Sequence, residues 1–466
     1  MNLYHALLAY QKSNLYPFHM PGHKRNPAFF PNHLFALDFT EIEGLDNLQD
    51  PTGVIQTSQE MFAGVFGASA SFLLVNGSSS GIIAAIMTVC RDGDCILAGR
   101  NSHLSFFSAL AYAGAVPIYV QPDITADHLI GGIEPTAIEE ALRNNEKIKA
   151  VFVTSPTYEG FTSDIQTISE IVHRHNGILI VDEAHGAHFS FSPYFPKSAL
   201  QQGADIVVQS LHKTLPTLGQ TALLHVAGER IDQERLKQHV RFVQTSSPSY
   251  LLMGMADKCV SDLKDNPAMF ERYITVLQTF RRQCAQLKNL SLLGREVVGQ
   301  NAIHDVDLGK LVFLGWQSGT ELERILREQY KIQLEMSTIH HCIAMTSVAD
   351  TKEGFDRLFS ALADLDQQAN DFQRIVIPYP KRIPELVHSA RESLCKKTKR
   401  VKLVESVGCV SAENITPYPP GIPLLTMGER ITQELIEYVM ECRRNEISIM
   451  GRTCADEDFI MIQESV

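Results

Sequence analysis

Short apolar runs alternate with helical patterns along residues 55–226. Apolar runs bounded by turns predict buried strands, whereas apolar residues that recur every three to four positions predict helices. The predicted strands are Ser71–Val75, Cys95–Ala98, Val116–Val120, Ala150–Val153, Gly177–Val181, Ala204–Val208 and Thr221–Val226. Because helical segments such as Ser58–Phe66, Ile82–Cys90 and Asp164–His175 lie between them, the pattern indicates an α/β fold. Its sheet is mostly parallel, seven-stranded, and covered by helices on both faces.

A second alternating pattern follows a long helical region that runs from Tyr250 to about Leu287. It predicts a smaller α/β unit with strands Lys310–Leu314, Ile332–Glu335 and Cys342–Thr346 and helices Glu321–Gln329 and Glu353–Leu365. The proline-broken stretch Arg374–Pro384 is predicted to be a linker, and Glu429–Arg443 a helix. We therefore divide the chain into an N-terminal arm (1–50), a large domain (51–255), a linking helix with a small α/β domain (256–370), and a C-terminal domain (371–466).

Composition narrows the class of protein. A chain of 466 residues with 44% hydrophobic content supports several packed cores, and a formal charge of −12 argues against a nucleic-acid partner. The basic run Lys396–Arg400 is therefore interpreted as a solvated helix end. Nine cysteines without a paired motif indicate reduced thiols. Met1–Tyr10 lacks a signal-peptide pattern, and the longest apolar run, Ile82–Val89, is too short for a membrane span. We expect a cytoplasmic protein.

An acidic and a basic residue stand at the predicted carboxyl ends of two strands. Asp182 follows Gly177–Val181, and Lys213 comes shortly after Ala204–Val208. Burial lowers the pKa of an ammonium group, and a neutral lysine forms Schiff bases with aldehydes. An acid keeps a pyridine nitrogen protonated. Either residue alone is more often a solvent lysine or a helix cap, but together they indicate a pyridoxal 5'-phosphate site.

Other polar residues fall at the same predicted sheet edge, where ligands bind in folds of this class. The turn Asn76–Gly81 opens a helix with three consecutive serines and is a candidate phosphate cradle. His103 either stacks on a flat ring or only enters a helix. The residues gathered at this edge are Ser78, Ser79, Ser80, His103, Thr157, Asp182 and Lys213. His185 and His188 share a helical spacing but have no third partner, so no metal site is predicted.

Five motifs spread along the chain resemble those of one enzyme family. They are His19–Lys24, Asn76–Ser80, Asp182–His185, Ser210–Lys213 and Tyr418–Pro423. The chain is similar to the bacterial ornithine/lysine/arginine decarboxylases, a branch of the fold-type I pyridoxal phosphate enzymes, in their short form. The lysine motif and Tyr418–Pro423 are the most specific of the five. In the long forms a tryptophan stands where this chain has His185.

This resemblance implies a role for each candidate residue. Lys213 is then the Schiff-base lysine, Asp182 the partner of the pyridinium nitrogen, and His103 and Ala184 the residues on the two ring faces. The remaining cofactor contacts implied are Ser78, Ser79, Ser80, His185, Ser210 and His212. Family members are homodimers or higher homo-oligomers with interface sites, so Ser246 and Ser247 reach the neighbour's phosphate or else cap a helix. Thr157 and Glu335 are candidate substrate contacts, Glu335 toward a distal cation.

The activity that the resemblance implies is decarboxylation of a basic L-amino acid, arginine or lysine ahead of ornithine, to a polyamine precursor and CO2. Two alternatives stay open on the sequence. One is another fold-type I reaction, such as an aldol cleavage, an amino transfer or the acyl transfer that Asp182–Gly186 also resembles. Aminotransferases typically clamp the substrate carboxylate with a small-domain arginine, for which the sequence shows no clear candidate, although Arg324 and Arg327 keep this alternative open. The other alternative is a non-catalytic relative that binds the cofactor.

Overall fold

The computed structural model describes residues 15–19, 22–24, 26–29, 34–316, 318–368, 380, 382–418, 421–445, 447–450 and 458–464. Its strands are β1 Tyr16–Phe18, β2 Ala70–Leu74, β3 Cys95–Gly99, β4 Val116–Val120, β5 Ile148–Thr154, β6 Phe161–Thr162, β7 Ile178–Asp182, β8 Ile206–Ser210, β9 Ala222–Val226, β10 Ser291–Leu292, β11 Asp305–Val306, β12 Lys310–Leu314, β13 Ile332–Leu334, β14 Met336–Ser337, β15 Cys342–Met345, β16 Thr398–Lys402, β17 Thr416–Tyr418, β18 Ser448–Met450 and β19 Phe459–Gln463. Its α-helices are α1 Val54–Phe66, α2 Gly77–Val89, α3 Leu104–Ala113, α4 Pro135–Asn144, α5 Ile165–Arg174, α6 Leu211–Thr214, α7 Gln233–Val243, α8 Tyr250–Asp265, α9 Ala268–Cys284, α10 Gly319–Glu328, α11 Lys352–Gln368, α12 Ala390–Leu394 and α13 Gln433–Arg444.

The large sheet has seven strands in the order β2-β9-β8-β7-β5-β3-β4. Strands β8, β7, β5, β3 and β4 pair in parallel, and β9 lies antiparallel between β2 and β8. The segment between β8 and β9 is shorter than the roughly dozen residues that a parallel crossover takes, so β9 turns back on β8. The predicted mostly parallel sheet is thereby confirmed.

Helices cover both faces of this sheet because its strands are apolar on both sides. Ile180 and Val208 belong to one buried cluster, which includes residues of α2, α3 and α7. Val181 and Val207 point the other way and belong to a second cluster, with α1, α4, α5 and α8. Successive residues of a strand face opposite sides. The carboxyl ends of the parallel strands are thus held rigidly at one edge.

A smaller antiparallel sheet, β10-β12-β15-β14, follows in the chain. The helices α8 and α9 lead to it and are separated at Asn266 and Pro267, because proline lacks a backbone donor and disfavours helix in the residue before it. The arm strand β1 pairs in parallel with β13, Tyr16 opposite Ile332. Residues of the N-terminal arm therefore pack on the small α/β unit.

The C-terminal segment differs from two sequence expectations. The basic run Lys396–Arg400 begins just after the end of α12 but is a helix end only in part, because Thr398–Lys402 forms β16 against β19 and the Arg400 guanidinium lies over the Phe459 ring. The predicted helix starts at Gln433 rather than earlier, since the Thr432 side chain accepts from the Leu435 N–H. Most of the predicted linker Arg374–Pro384 lies outside the described residues. Within the described ranges, we find no helix with the length and apolar character of a membrane span.

Candidate active site

Lys213 lies in α6, a short helix that directly follows β8. Its side chain is half-buried, and its Nζ is 3.1 Å from His185 Nε2. Desolvation lowers the pKa of the Lys213 ammonium, and the charges of Asp182 and Glu335 oppose that shift. The strand end thus presents an amine whose neutral, nucleophilic form is favoured relative to a solvent lysine.

Asp182 is the last residue of β7, the parallel neighbour of β8. Its side chain is buried, and Oδ1 accepts the Ala184 N–H at 3.1 Å. Desolvation raises the pKa of Asp182, whereas Lys213 and the Ala184 N–H lower it. The next acid, Glu183, accepts hydrogen bonds from Ser198 Oγ, Gln209 Nε2 and the backbone N–H of residue 199. Its carboxylate therefore holds the segment around residue 198 in place.

His103 caps the start of α3, with its ring at the cavity. The Ser105 N–H lies 3.2 Å from Nδ1 and donates to it. An imidazole nitrogen that accepts a hydrogen bond carries no proton, so the neutral ring holds its proton on Nε2. Ala184 lines the same cavity, and its methyl group leaves room for a flat ligand.

The start of α2 lies beside Lys213. The first backbone N–H groups of this helix have no partner within it and form its positive end. Ser80 Oγ donates to the Gly77 carbonyl at 2.7 Å, and Ser210 Oγ donates to Ser78 Oγ at 2.9 Å. His212 Nδ1 lies 3.0 Å from the Thr221 carbonyl, to which it donates. Hydroxyl groups and helix N–H groups together form a site suited to a phosphate.

One cavity of about 160 Å³ joins these elements. The sequence-predicted residues that line it are Ser78, His103, Thr157, Asp182, Ala184, His185 and Lys213. Ser79 and Ser80 follow Ser78 in α2, Ser210 ends β8, and His212 precedes Lys213 in α6. The fold therefore brings together residues from five separate segments of the chain.

Three predicted residues lie outside this cavity in the single chain. Ser246 and Ser247 are exposed in the loop between α7 and α8, next to Thr245, whose N–H faces Asn76 Oδ1 at 3.5 Å. Glu335 is half-buried and accepts from the Tyr158 hydroxyl at 2.6 Å. Since Tyr158 lines the cavity, Glu335 is one side chain removed from it.

Comparison with known proteins places this site in a family. Residues 1–352 match the model described as Orn/Lys/Arg decarboxylase, major domain, and residues 368–448 match the model of its C-terminal domain. The chain belongs to the Orn/Lys/Arg decarboxylase family. Membership confirms the predicted family and the predicted class of enzyme, an amino-acid decarboxylase.

Individual relatives of this decarboxylase extend over nearly the whole chain. The arginine decarboxylase of Bacillus anthracis is 32% identical over 468 residues, covering 96% of this chain and 94% of its own. That of Halalkalibacterium halodurans is 35% identical over 467 residues, with the same coverage. The solved lysine decarboxylase of Francisella novicida has a TM-score of 0.80 at 22% identity, covering 94% of this chain and 76% of its own. That likeness confirms the predicted fold class.

Sequence reasoning left the arm motif of this decarboxylase without a place, although its dense proline, glycine and histidine marked it. Gly22 N–H donates to the His212 carbonyl at 2.7 Å, which sets the arm against the turn that carries Lys213. Lys24 is buried, and its Nζ donates to the carbonyls of Met345 at 2.6 Å and His19 at 3.0 Å. The arm therefore contacts α6, the helix that carries Lys213, through the hydrogen bond of Gly22.

Two further charged residues at the site were missed. Glu159 is buried and lines the cavity, and its Oε2 has no hydrogen-bond partner among the residues described. Burial raises the pKa of this carboxyl group. Lys310, the first residue of β12, is buried with Nζ 2.5 Å from His185 Nδ1. An acid directly after Thr157 and Tyr158 was a readable signal for Glu159, whereas β12 carried none for Lys310.

Proposed function

We propose that this decarboxylase acts on a basic L-amino acid with pyridoxal 5'-phosphate as cofactor and releases CO2 and the corresponding amine, a polyamine precursor. The observation that carries the proposal is that Asp182 ends β7, that Lys213 lies in the short helix directly after the neighbouring parallel strand β8, and that both residues line one cavity. Arginine is the first substrate to test, because the relatives that are 32% and 35% identical are named arginine decarboxylases. Lysine comes next, and ornithine last.

The residues present fit this cofactor. An amine with a lowered pKa suits an aldehyde, and the buried carboxylate of Asp182 suits a protonated ring nitrogen. Ala184 and the His103 ring suit the two faces of a flat ring. Phosphate contacts are proposed for Ser78, Ser79, Ser80, Ser210 and His212. When bound, the cofactor supplies an electron-accepting ring that stabilises the negative charge left on the substrate Cα.

The chain's own residues then have distinct tasks. Asp182 holds the ring nitrogen in its protonated state through a charge-assisted hydrogen bond, which is stronger than a neutral one. Lys213 would hold the cofactor through its neutral amine and, in its protonated form, would supply a proton to the substrate Cα. His185, next to Lys213 Nζ, orients that amine.

Acidic residues near the cavity support a cationic substrate. Glu335 and Glu159 approach the site from the small α/β unit and from the turn after β5, and Thr157 adds a hydroxyl group. A guanidinium group binds carboxylates through paired hydrogen bonds, and an ammonium group binds them as a point charge. We propose Glu335 and Glu159 as the residues that select a distal cation.

We further propose a cytoplasmic homodimer or higher homo-oligomer in which two chains complete each site. Support comes from Ser246 and Ser247, which are exposed beside the start of α2 rather than inside their own cavity. From that position they would contact the phosphate bound by a partner chain. The division into arm, large, small and C-terminal domains at residues 50, 255 and 370 is part of the same proposal.

The deciding experiment combines a visible absorbance spectrum of the purified protein with CO2 release from L-arginine, L-lysine and L-ornithine. We expect an absorbance band of lysine-bound cofactor that is missing in Lys213→Ala, and CO2 from arginine at the highest kcat/KM. A band without CO2 from any of the three would contradict decarboxylation and favour aldol or transfer chemistry. Turnover by Lys213→Ala at the normal rate would contradict the assigned role of Lys213.

A further inference from the structure

His185 lies between two lysines. Its Nε2 is 3.1 Å from Lys213 Nζ, and its Nδ1 is 2.5 Å from Lys310 Nζ. His185 and Lys310 are buried, and Lys213 is half-buried. The Tyr158 ring packs against the imidazole, with centroids 4.7 Å apart. The two amines are thus linked by one ring whose position is constrained.

The hydrogen bonds of His185 limit how many protons the two lysines carry together. Desolvation and the charges of Lys213 and Lys310 hold the pKa of His185 well below its ordinary value, so the ring is neutral and carries one N–H. A neutral imidazole donates at one nitrogen and accepts at the other. An ammonium group can only donate a hydrogen bond. If both lysines were ammonium groups, one of them would face the imidazole N–H, which cannot accept. One of the two lysines is therefore a neutral amine whenever both hydrogen bonds are formed.

The enclosure of Lys310 holds its amine at this position. A Cβ atom on Gly160 would lie 2.8 Å from Lys310 Cγ, so the absence of a side chain there makes room for the lysine stem. Nζ lies 5.2 Å from the centre of the Tyr158 ring. The nearby carboxylate of Asp307 accepts from the Gly309 N–H at 2.8 Å and lies 3.2 Å from His188 Nε2.

Charged groups from every side determine where the shared proton resides. Desolvation lowers the pKa of Lys310 to about 8, and Lys213 adds to that shift. The carboxylates that oppose it are Asp307, Glu335 and Glu159. The remaining titratable groups around Lys213, His185 and Lys310 are Tyr158, His188, His103, His212 and Asp182. Burial and the charge of Lys213 therefore disfavour a proton on Lys310, whereas the three carboxylates favour it.

We propose that Lys310 is a positioning residue of this active site that exchanges one proton with Lys213 through His185. In one state Lys310 is an ammonium that donates to Nδ1, and Nε2–H donates to the neutral Lys213 amine. In the other, Nε2 accepts from a Lys213 ammonium, and Nδ1–H donates to the neutral Lys310 amine. To pass from the first state to the second, Lys310 gives a proton to Nδ1 and Nε2 gives its proton to Lys213. The total charge and the number of protons stay the same. Lys213 is thereby neutral when it must bind an aldehyde and protonated when it must supply a proton.

This inference rests on the proposed function, and its test starts with the cofactor-free protein. The rate at which that protein takes up pyridoxal 5'-phosphate, followed by absorbance against pH, reports the neutral fraction of Lys213. In Lys310→Met, which removes the second charge and the second base, we expect the pH midpoint of uptake to rise by about one unit or more. In Lys310→Arg the charge stays, so the midpoint is expected to remain at the wild-type value.

Turnover separates the same two variants. An arginine side chain keeps its proton and has no lone pair to accept one, so Lys310→Arg is expected to lose at least about tenfold in kcat despite normal uptake. Lys352→Met, at an exposed lysine of α11, is the control and is expected to change neither readout. Normal kcat in Lys310→Arg would overturn the proton exchange, and this test does not depend on whether Lys310→Met folds.

A double-mutant cycle tests the route through His185. If Lys310 acts through the imidazole, Lys310→Met changes the uptake midpoint less in a His185→Phe background than in the wild type, ideally not at all. Equal shifts in both backgrounds would overturn the relay and leave a direct charge effect. Absence of any cofactor uptake by the wild-type protein would instead contradict the proposed function, so the two failures are distinguishable.

Discussion

Gly22 packs directly on the backbone of Leu215. A Cβ atom at position 22 would lie 2.7 Å from the Leu215 carbonyl oxygen and 3.0 Å from its nitrogen. Leu215 ends the helix that carries Lys213, and its N–H donates to the Leu211 carbonyl. The arm glycine and the Schiff-base candidate are therefore mechanically linked across the fold.

Gly22→Ala is expected to displace α6 and lower cofactor affinity by about tenfold or more, because the clash is with backbone atoms that have little freedom to move. Kd from absorbance titration of the cofactor-free protein is the measurement. Gly64→Ala is the matched control, since a Cβ on Gly64, within α1, meets no atom within 4 Å. It should bind cofactor normally and be slightly more stable. Equal affinities in both variants would contradict this account.

Asp182→Asn is expected to keep the lysine-bound absorbance band but lose at least about tenfold in kcat. The amide preserves the shape of the side chain but lacks the charge that keeps a ring nitrogen protonated. Glu183→Gln is the control, because its carboxylate is bound by Ser198 and Gln209 and serves the turn. That variant should lose stability while the folded fraction retains kcat. A similar kcat loss in both would argue for a general structural effect.

Glu335→Gln is expected to raise KM for L-arginine by about tenfold to a hundredfold and to change kcat less, since a charge-assisted hydrogen bond contributes about 1.5–3 kcal/mol. Initial-rate kinetics with arginine and lysine are the measurement. Glu328→Gln, at an exposed acid of α10, serves as the control. If Glu159→Gln raises KM and Glu335→Gln does not, then the unpartnered Glu159 oxygen is the cation contact instead.

A pH-dependent stability contribution is expected from Asp46, which accepts the N–H groups of Thr52, Gly53 and Ile55 at the start of α1. Desolvation raises the pKa of Asp46, but hydrogen bonds from the backbone of Thr52, Asn47, Gly53 and Gln56 outweigh it and lower the pKa from 3.8 to about 2. The folded pKa lies below the unfolded one, so the stabilisation is complete above about pH 4. It is lost as the pH falls through about 2.

Thermal unfolding of wild type and Asp46→Ala from pH 7 to pH 2 measures this effect. The variant is expected to lose about 1–2 kcal/mol at pH 7, as helix caps do, and the difference should shrink toward pH 2. Glu43→Ala, at an exposed acid of the same turn, is the control and should match wild type throughout. A difference for Asp46→Ala that stays constant down to pH 2 would contradict a role for the charged carboxylate.

Mixing two impaired variants tests whether two chains complete each active site. Lys213→Ala and the double variant Ser246→Ala/Ser247→Ala are each expected to be impaired. Refolding them together would form heterodimers in which one site has both Lys213 and the partner's serines, restoring up to about a quarter of wild-type activity. Two separately refolded and then combined samples provide the control. No gain on co-refolding, with dimers shown by light scattering, would contradict a shared site.

The sequence by itself determined most of the large domain and the key pair of the site. Buried strands are continuous apolar runs, a local signal that located the strands of the seven-stranded sheet. Asp182 directly follows such a run, Lys213 comes shortly after another, and parallel strands bring their carboxyl ends to one edge. The motifs were specific enough for the family, because they lie in the segments that bear directly on the site.

The tertiary structure alone decided the contacts that depend on packing between distant segments. Lys310 reaches His185 across 125 residues, and Glu335 reaches Tyr158 across 177. No periodicity marks such a pair, because the two partners belong to separate elements that only the packing of the chain brings together. The orientation of β9, the strand formed by Thr398–Lys402 and the fit of Gly22 on Leu215 have the same cause. Local patterns specify elements, whereas the docking of elements specifies which side chains meet.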